Sequence, residues 1–230
     1  MGWLGKFLTS SIGQKLIMAL TGIFLLLFLT VHLMGNLQLL HDDGGLAFNA
    51  YAEFMGHNPF IQFVSKGNFF FIALHAIVGL MLWAKNRAAR GSQKYAVQKV
   101  RAVNTNAGFA KNMAVLGTVL LIFIIIHLYQ FWFQSKFGNL PTVTHDGEQM
   151  GNLYGLVAAT YTNIGFVVFY VACMMVLAFH LWHGFQSAFQ TLGLNHQKYT
   201  PAIHFLGKAY AILIPFGLAI IPVIFYLQNG

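Results

Sequence analysis

The sequence is poor in charged residues: Asp, Glu, Lys and Arg make up only 8% of its 230 residues. A water-soluble domain normally carries about 25% charged residues, and 57% of this chain is hydrophobic. Too few polar side chains remain to cover a water-facing surface, so the expected surroundings are lipid. This composition excludes soluble enzymes and disordered tails.

Cysteine is almost absent, since Cys173 is the single one in the chain. One cysteine cannot close an internal disulfide or hold a cysteine-ligated iron–sulfur cluster. Cys173 is also not followed by the x-x-Cys-His that covalent haem attachment requires. Any metal chemistry therefore depends on the ten histidines.

Five uncharged apolar stretches are long enough to cross a bilayer, for which about 20 residues are needed. The second stretch reaches this length only if it begins near residue 60. We therefore expect an all-α integral membrane protein that forms a single membrane domain over residues 1–230. The expected helices cover approximately residues 16–40, 60–84, 112–133, 153–192 and 205–227.

Basic and acidic residues fall into different connections between these helices. Eleven of the 13 Lys and Arg residues precede the first helix, join the second to the third, or join the fourth to the fifth, and seven of them lie from Lys85 to Lys111. All five acidic residues lie in the other connections. Because cytoplasmic loops collect Lys and Arg, we expect the N-terminus in the cytoplasm and the C-terminus on the outer side.

Each of the first four expected helices carries a histidine in its apolar part, namely His32, His75, His127 and His180, and the fourth also carries His183. A single intramembrane histidine can be a structural hydrogen-bonding residue, but ionisable residues within a membrane are usually functional. One on each of four successive helices favours function. A proton relay usually includes carboxylates, and these stretches contain no Asp or Glu.

The depths of the four histidines fall into two levels. At 1.5 Å per residue, His32 and His127 lie roughly 25 Å and 24 Å from the inner ends of their helices, whereas His75 and His180 lie roughly 15 Å from theirs. In an up-down-up-down bundle the first and third helices are diagonal, and so are the second and fourth. His32 should therefore face His127 in the outer half, and His75 should face His180 in the inner half.

Two imidazoles that face each other without a nearby thiolate or carboxylate suit a bis-histidine haem, whose apolar ring tolerates hydrocarbon and whose iron accepts nitrogen ligands. Zinc or copper would need a third or fourth close ligand. Gly35, Gly79 and Gly184 lie one turn from a histidine and leave space for a flat ring, although glycines also serve ordinary helix packing. The pattern predicts two haems b, with the four histidines as axial ligands of iron. His183 shares a face with His180, so either could ligate, and we expect His183 at the interface or near a propionate.

Two runs carry a resemblance to a known family: residues 11–36, SIGQKLIMALTGIFLLLFLTVHLMGN, and residues 179–193, FHLWHGFQSAFQTLG. Essentially the whole chain resembles the single-chain, two-haem cytochrome b subunit of succinate:quinone oxidoreductases, which comprise succinate dehydrogenases and quinol:fumarate reductases. Phe179, His180 and Gly184 match the family's fourth-helix signature and favour His180 over His183. In that family the first and third histidines hold the distal haem, and the second and fourth hold the proximal haem.

The resemblance implies a function that the composition does not show. Members of the family lie in the bacterial cytoplasmic (inner) membrane and bind, on its cytoplasmic face, a flavoprotein subunit with FAD and an iron–sulfur subunit. They pass electrons between these subunits and a quinone, for which menaquinone is the expectation here, and have no succinate site of their own. Some quinol:fumarate reductases carry a glutamate two residues before the fourth histidine, and Ala178 at that place argues against their proton path.

Glu53 is the candidate catalytic residue at a quinone site, since such a site combines an apolar slot with a group that exchanges a proton. It lies in an outer connection that resembles the short surface helix on which the family places such a glutamate. A solvated acid on an interfacial helix is the alternative role, and His57 is a second candidate. The helical apolar stripe of this segment consists of Phe48, Tyr51, Ala52 and Met55.

Two other functions stay open on the sequence alone. A cytochrome b anchor of another quinone-linked dehydrogenase or of a hydrogenase would share bis-histidine haems, but such proteins commonly place two histidines on one helix. A non-redox membrane transporter or channel with structural histidines is the second alternative. Many transporters have broken helices and internal repeats, which this sequence lacks.

Overall fold

The computed structural model describes residues 2–91, 107–145 and 147–229. Over these residues, five helical spans are long and apolar enough to cross a membrane, which confirms the expected all-α class and is compatible with a multi-pass membrane protein. The spans are Ser11–Leu40, Pro59–Arg90, Asn112–Phe137, Ile164–Thr191 and Thr200–Gln228. Most of the basic segment after Arg90, including Lys94, Lys99 and Arg101, lies outside the described residues.

The elements follow one another in a simple order along the chain. A 3₁₀ turn, Gln38–Leu40, extends the first long helix, and a π-helical turn, Leu128–Phe133, continues the third. A small antiparallel hairpin, β1 (Thr142–His145) and β2 (Glu148–Gly151), lies in the following connection. The α-helices are α1 (Trp3–Thr9), α2 (Ser11–Leu37), α3 (Leu46–His57), α4 (Pro59–Arg90), α5 (Ala107–His127), α6 (Gln134–Phe137), α7 (Leu153–Tyr161), α8 (Ile164–Thr191) and α9 (Thr200–Asn229).

Side-chain contacts show that α2 and α4 are antiparallel. Lys85 Nζ donates to Gln14 Oε1 at 3.0 Å, and Thr21 Oγ1 lies 2.9 Å from His75 Nδ1. The position on α4 thus falls from 85 to 75 as the position on α2 rises from 14 to 21. Lys85 Nζ also donates to the backbone oxygen of Thr9 at the end of α1, so it joins α1 to this pair of helices.

The remaining long helices complete a bundle of alternating directions. α2 packs against α4 and α8, and α5 packs against α8 and α4, so that α2 lies diagonally opposite α5 and α4 lies opposite α8. α9 packs on the outside of this square, against α8 and α2. Its contacts with α2 run in parallel order: Tyr210 lies beside Thr30, and Gly217 lies beside Leu33.

The fourth expected helix, residues 153–192, is wrong as a single element, because α7 ends at Tyr161 and α8 begins at Ile164. Asn163 between them has an extended backbone, and its side chain accepts the N–H of Gly165 at 2.8 Å. An uninterrupted helix of about 40 residues would be about 60 Å long, twice the hydrocarbon thickness of a bilayer. The cap at Asn163 therefore leaves α8, with 28 residues, as the membrane span.

The connection between α2 and α4 folds into α3, as its apolar stripe predicts. Phe48 is buried and Tyr51 half-buried. Asn49, only 2% exposed, accepts the N–H of Tyr154 at 2.9 Å and donates to Asn152 Oδ1 at 3.3 Å. These two hydrogen bonds fix α3 to the start of α7.

The start of α3 is set by Asp43, an exposed residue of the connection. Its carboxylate oxygens accept the backbone N–H groups of Ala47 and Gly45, each at 2.9 Å. The hydrogen bond from Ala47, helped by that from Gly45, holds the pKa of Asp43 below its ordinary value of 3.8. Gly45 has a φ of +87°, and a Cβ there would collide with the ring of Tyr154, so this turn requires glycine.

Candidate functional site

Two histidine pairs form the core of the candidate site. They are called the outer and the inner pair after the expected orientation, and the outer pair joins α2 to α5. The ring centres of His32 and His127 are 5.8 Å apart, and their planes are nearly perpendicular at 89°. Both side chains are half-buried. Phe28 stacks on His32 at 5.3 Å, and Phe123 stacks on His127 at 5.6 Å. Aromatic rings therefore hold the orientation of both imidazoles.

The inner pair joins α4 to α8. The ring centres of His75 and His180 are 6.3 Å apart, with an angle of 65° between their planes. Here the neighbouring helices present glycines to the imidazoles. A Cβ added at Gly22 would lie 3.6 Å from His75 Cε1, and one added at Gly117 would lie 3.8 Å from His180 Cε1. The backbones of α2 and α5 can thus come close to the inner pair.

These are the two pairs that the depth argument predicts, and they lie at separate levels of the bundle. On α2, Thr21 marks the level of His75 because the two are hydrogen bonded, and His32 marks the outer level. Their separation of 11 positions in the sequence corresponds to about 16 Å along the helix axis. The role of the four histidines as iron ligands stays a prediction.

Thr21 holds the ring of His75 through the Nδ1 atom. The Thr21 hydroxyl lies 2.7 Å from the backbone oxygen of Ile17, to which it donates, and 2.9 Å from His75 Nδ1. A hydroxyl has one proton, so with that proton donated to the Ile17 oxygen the contact is a hydrogen bond only if His75 Nδ1 carries a proton and donates it. In that tautomer His75 Nε2 keeps a lone pair for a ligand bond.

Tyr170 occupies the equivalent place beside His127. Its hydroxyl donates to Gln130 Oε1 at 2.6 Å and lies 3.3 Å from His127 Nδ1. One histidine of each pair therefore has a hydroxyl oxygen at Nδ1. Oxygen or nitrogen partners at the non-ligating ring nitrogen are typical of histidines that bind metals.

Two buried polar atoms in the interior have no hydrogen-bonding partner among the described residues: His180 Nδ1 and Asn68 Oδ1. Buried polar atoms without a partner are rare and call for an explanation. Asn68 precedes His75 by seven residues on α4, two turns further towards the end of the bundle that carries α3. A bound group with its own donors and acceptors would satisfy atoms of this kind.

His183 takes no part in the inner pair. It is half-buried and lies one turn beyond His180, and within the described part of the chain its ring makes no stacking or edge contact with His75, whereas His180 does. The choice of His180 over His183 as an iron ligand stays a prediction. A role of His183 at a propionate stays a prediction.

Two of the three glycines expected beside the histidines have other neighbours, and the third, Gly184, faces open space. A Cβ at Gly35 would collide with the ring of Tyr51 on α3, and one at Gly79 would meet the side chain of Met18 at 3.5 Å. A Cβ at Gly184 would meet nothing within 4 Å. Gly35 and Gly79 therefore serve the packing of helix on helix, and Gly22 and Gly117 take the places beside the inner imidazoles.

Glu53 lies on the face of α3 that points away from the bundle. Its side chain is 46% exposed and pairs with His57, whose Nδ1 lies 3.1 Å from Glu53 Oε1. The opposite face of α3 approaches the outer pair, since Tyr51 packs on Gly35, one turn beyond His32. Proton exchange by Glu53 stays a prediction, and its exposure leaves it open to water.

Each histidine pair offers two imidazoles as candidate ligands. Across residues 2–91, 107–145 and 147–229, no three His, Cys, Asp or Glu side chains cluster as a metal site, whereas protein-bound zinc takes three or four side-chain ligands. With metal–nitrogen bonds of about 2.0 Å, two imidazoles on opposite sides of one ion have ring centres about 6 Å apart. The observed 5.8 Å and 6.3 Å match this span.

Sequence reasoning missed the residues that support the histidines. Thr21 precedes His32 by 11 residues, which places the two on the same face of the helix, three turns apart. This spacing could have indicated that Thr21 faces the interior of the bundle. Tyr170 and Gln130 lie on two different helices, and no local pattern connects them. Comparisons with known proteins add no identification: no protein-family model, curated protein or solved structure gives a significant match to this chain.

Proposed function

We propose that this chain is a cytochrome b membrane subunit of a succinate:quinone oxidoreductase, with two bis-histidine haems between a cytoplasmic iron–sulfur subunit and a membrane quinone. One observation carries the haem assignment: two histidine pairs, at two levels of an apolar bundle, have ring centres 5.8 Å and 6.3 Å apart. Haem supplies one-electron redox chemistry when it is bound. The four histidines would hold the two haems through ring nitrogens in the apolar interior of the bundle.

In the proposed arrangement, His32 and His127 hold the outer haem, and His75 and His180 hold the inner haem. The Thr21 and Tyr170 hydroxyl oxygens, 2.9 Å and 3.3 Å from Nδ1 of His75 and His127, would accept Nδ1–H bonds and leave the Nε2 atoms for the iron. The glycines Gly22 and Gly117 put no side chain beside the inner imidazoles, which would leave room there for a flat macrocycle.

The choice of partner rests on the resemblance of residues 11–36 and 179–193 to the succinate:quinone oxidoreductase family. It implies a flavoprotein subunit with FAD and an iron–sulfur subunit on the cytoplasmic face, where the basic connection after α4 lies in the expected orientation. The inner haem is nearer to that face and would exchange electrons with the last iron–sulfur cluster. The outer haem would exchange electrons with menaquinone near α3.

The first experiment is a reduced-minus-oxidised absorption spectrum of the protein purified from membranes in mild detergent, with haem measured per chain. We expect low-spin haem b at two per chain. Replacing His32 or His127 by Ala should remove only the outer haem, and replacing His75 or His180 should remove only the inner one. His183→Ala is the matched control and should keep both. A colourless protein would overturn the proposal and favour a transporter.

A second experiment separates succinate dehydrogenase from other quinone-linked enzymes. The native complex should contain covalently bound FAD and should reduce the haems when succinate is added. Reversing Lys94, Lys99 and Arg101 to Glu together should release the soluble subunits from washed membranes and leave the haem spectrum normal. Haem reduction by hydrogen or formate instead of succinate would favour the alternative anchor function.

Quinone chemistry is tested at Glu53. Glu53→Gln keeps the size and polarity of the side chain but cannot ionise, so proton exchange with quinone should fail while both haems stay bound and reducible. Quinone turnover at the wild-type rate would make Glu53 a solvated acid that pairs with His57. His57→Gln is the companion variant, because it replaces the imidazole that contacts Glu53 and leaves the Glu53 carboxylate in place.

A further inference from the structure

Tyr170 on α8 reaches His127 and Gln130 of the third span with its hydroxyl, and the proposed haem function leaves its role unassigned. It is only 4% exposed, and its ring makes edge contacts with Phe123 and Phe131. Burying a phenol hydroxyl in an apolar bundle is costly unless it is hydrogen bonded. The two polar neighbours of this hydroxyl are His127 and Gln130.

The proton count at the Tyr170 hydroxyl decides the direction of both hydrogen bonds. Its one proton goes to Gln130 Oε1, at the shorter distance of 2.6 Å. The phenol oxygen therefore faces His127 with a lone pair, and the 3.3 Å contact is a hydrogen bond only if His127 Nδ1 carries a proton. That tautomer leaves His127 Nε2 unprotonated, as a ligand nitrogen must be.

The backbone places Gln130 for this task. The π-helical turn Leu128–Phe133 begins directly after His127 and contains Gln130. A π turn is wider than an α turn and changes the direction of the side chains that follow, and such turns occur frequently at functional sites. In this chain His127 points across the bundle to α2 while Gln130 reaches Tyr170 on α8.

We propose that Tyr170, held by Gln130, is a positioning residue that sets the tautomer of His127 and lowers the reduction potential of the outer haem. A hydrogen bond donated from Nδ1 raises the electron density on the imidazole and strengthens its bond to the oxidised iron. Loss of the phenol oxygen should therefore raise the midpoint potential of that haem. This inference rests on the proposed haem function.

The test is an anaerobic potentiometric titration of the purified protein, followed by haem absorbance, for wild type, Tyr170→Phe and Tyr161→Phe. Tyr161 is the matched control: it is 6% exposed, its ring centre lies 5.3 Å from that of Tyr170, and in the described chain its hydroxyl bonds to neither His127 nor Gln130. We expect Tyr170→Phe to raise the outer midpoint potential and leave the inner one unchanged. Tyr161→Phe should shift neither.

Gln130→Met supplies a second, independent variant. It removes the acceptor of the phenol proton, so the Tyr170 oxygen is no longer held with its lone pair towards His127, and the outer potential should again rise. This variant decides the case if Tyr170→Phe fails to retain the outer haem. An outer potential equal to wild type in the retained variants, or an equal shift with Tyr161→Phe, would overturn the inference. A colourless wild-type protein would instead refute the haem function itself.

Discussion

Replacing Thr21 by Val tests whether the inner pair depends on the hydrogen bond at His75 Nδ1. Valine keeps the branched shape of threonine and removes the hydroxyl, whose oxygen lies 2.9 Å from Nδ1. The helix loses no backbone hydrogen bond, because the bond from Thr21 to Ile17 is an additional side-chain contact. The change therefore tests the hydrogen bond between Thr21 and His75 separately from the stability of the helix.

The size of the effect follows from the loss of this one acceptor. The bond contributes about 0.5–1.5 kcal/mol, and a buried Nδ1–H left without an acceptor costs about 1–3 kcal/mol. Loss of such a partner typically lowers metal affinity about 10–100-fold, which corresponds to about 1.4–2.8 kcal/mol. The two estimates agree, so we expect the inner haem to bind about 10–100 times more weakly in Thr21→Val.

The assay is the rate at which the purified protein loses haem to an excess of apomyoglobin. The inner haem should leave about 10–100 times faster than in wild type, and the outer haem should leave at its wild-type rate. Thr118→Val is the matched control, because the Thr118 hydroxyl makes the same contact with a backbone oxygen four residues earlier, at 2.8 Å, on an exposed face. Wild-type release of the inner haem from Thr21→Val would refute the reasoning.

Three further predictions concern other parts of the chain. Asn49→Ala removes the acceptor of the Tyr154 N–H and should lower the unfolding free energy by about 1–3 kcal/mol, seen as a lower Tm in detergent. Gly117→Leu should reduce the content of inner haem, because its side chain would enter the space beside His180, where even a Cβ comes within 3.8 Å. Asp43→Asn should destabilise the protein at pH 7. The difference should vanish as the pH falls, because a carboxylate with a lowered pKa stabilises the fold above its ordinary pKa of 3.8 and loses that effect when protonated.

Each of these has a result that would contradict it. An unchanged Tm in Asn49→Ala would mean that α3 is held to α7 by apolar contacts alone. Full inner haem content in Gly117→Leu would place the macrocycle elsewhere, and Gly67→Leu, where a Cβ meets nothing within 4 Å, is the control. If the stability difference between wild type and Asp43→Asn did not change with pH, the charge of the Asp43 carboxylate would not be its cause.

The sequence alone determined the membrane class, the number of spans and the identity of the histidine pairs. Hydropathy and helical rise are properties of one segment at a time, so the depth of His32 or His75 in its helix could be calculated without knowing its neighbours. The helix α3 could be predicted from its apolar stripe for the same reason. The expected single helix over 153–192 failed because hydropathy does not register a cap such as Asn163.

Only the tertiary structure decided which side chains support these histidines. Thr21 meets His75 across 54 positions of the chain, and Tyr170 meets His127 across 43. Such contacts depend on the rotation of each helix about its own axis and on the distance between helices. The packing of all the spans sets these quantities together. For the same reason the glycines beside the inner imidazoles are Gly22 and Gly117, which come from neighbouring helices rather than from the turns adjacent to the histidines.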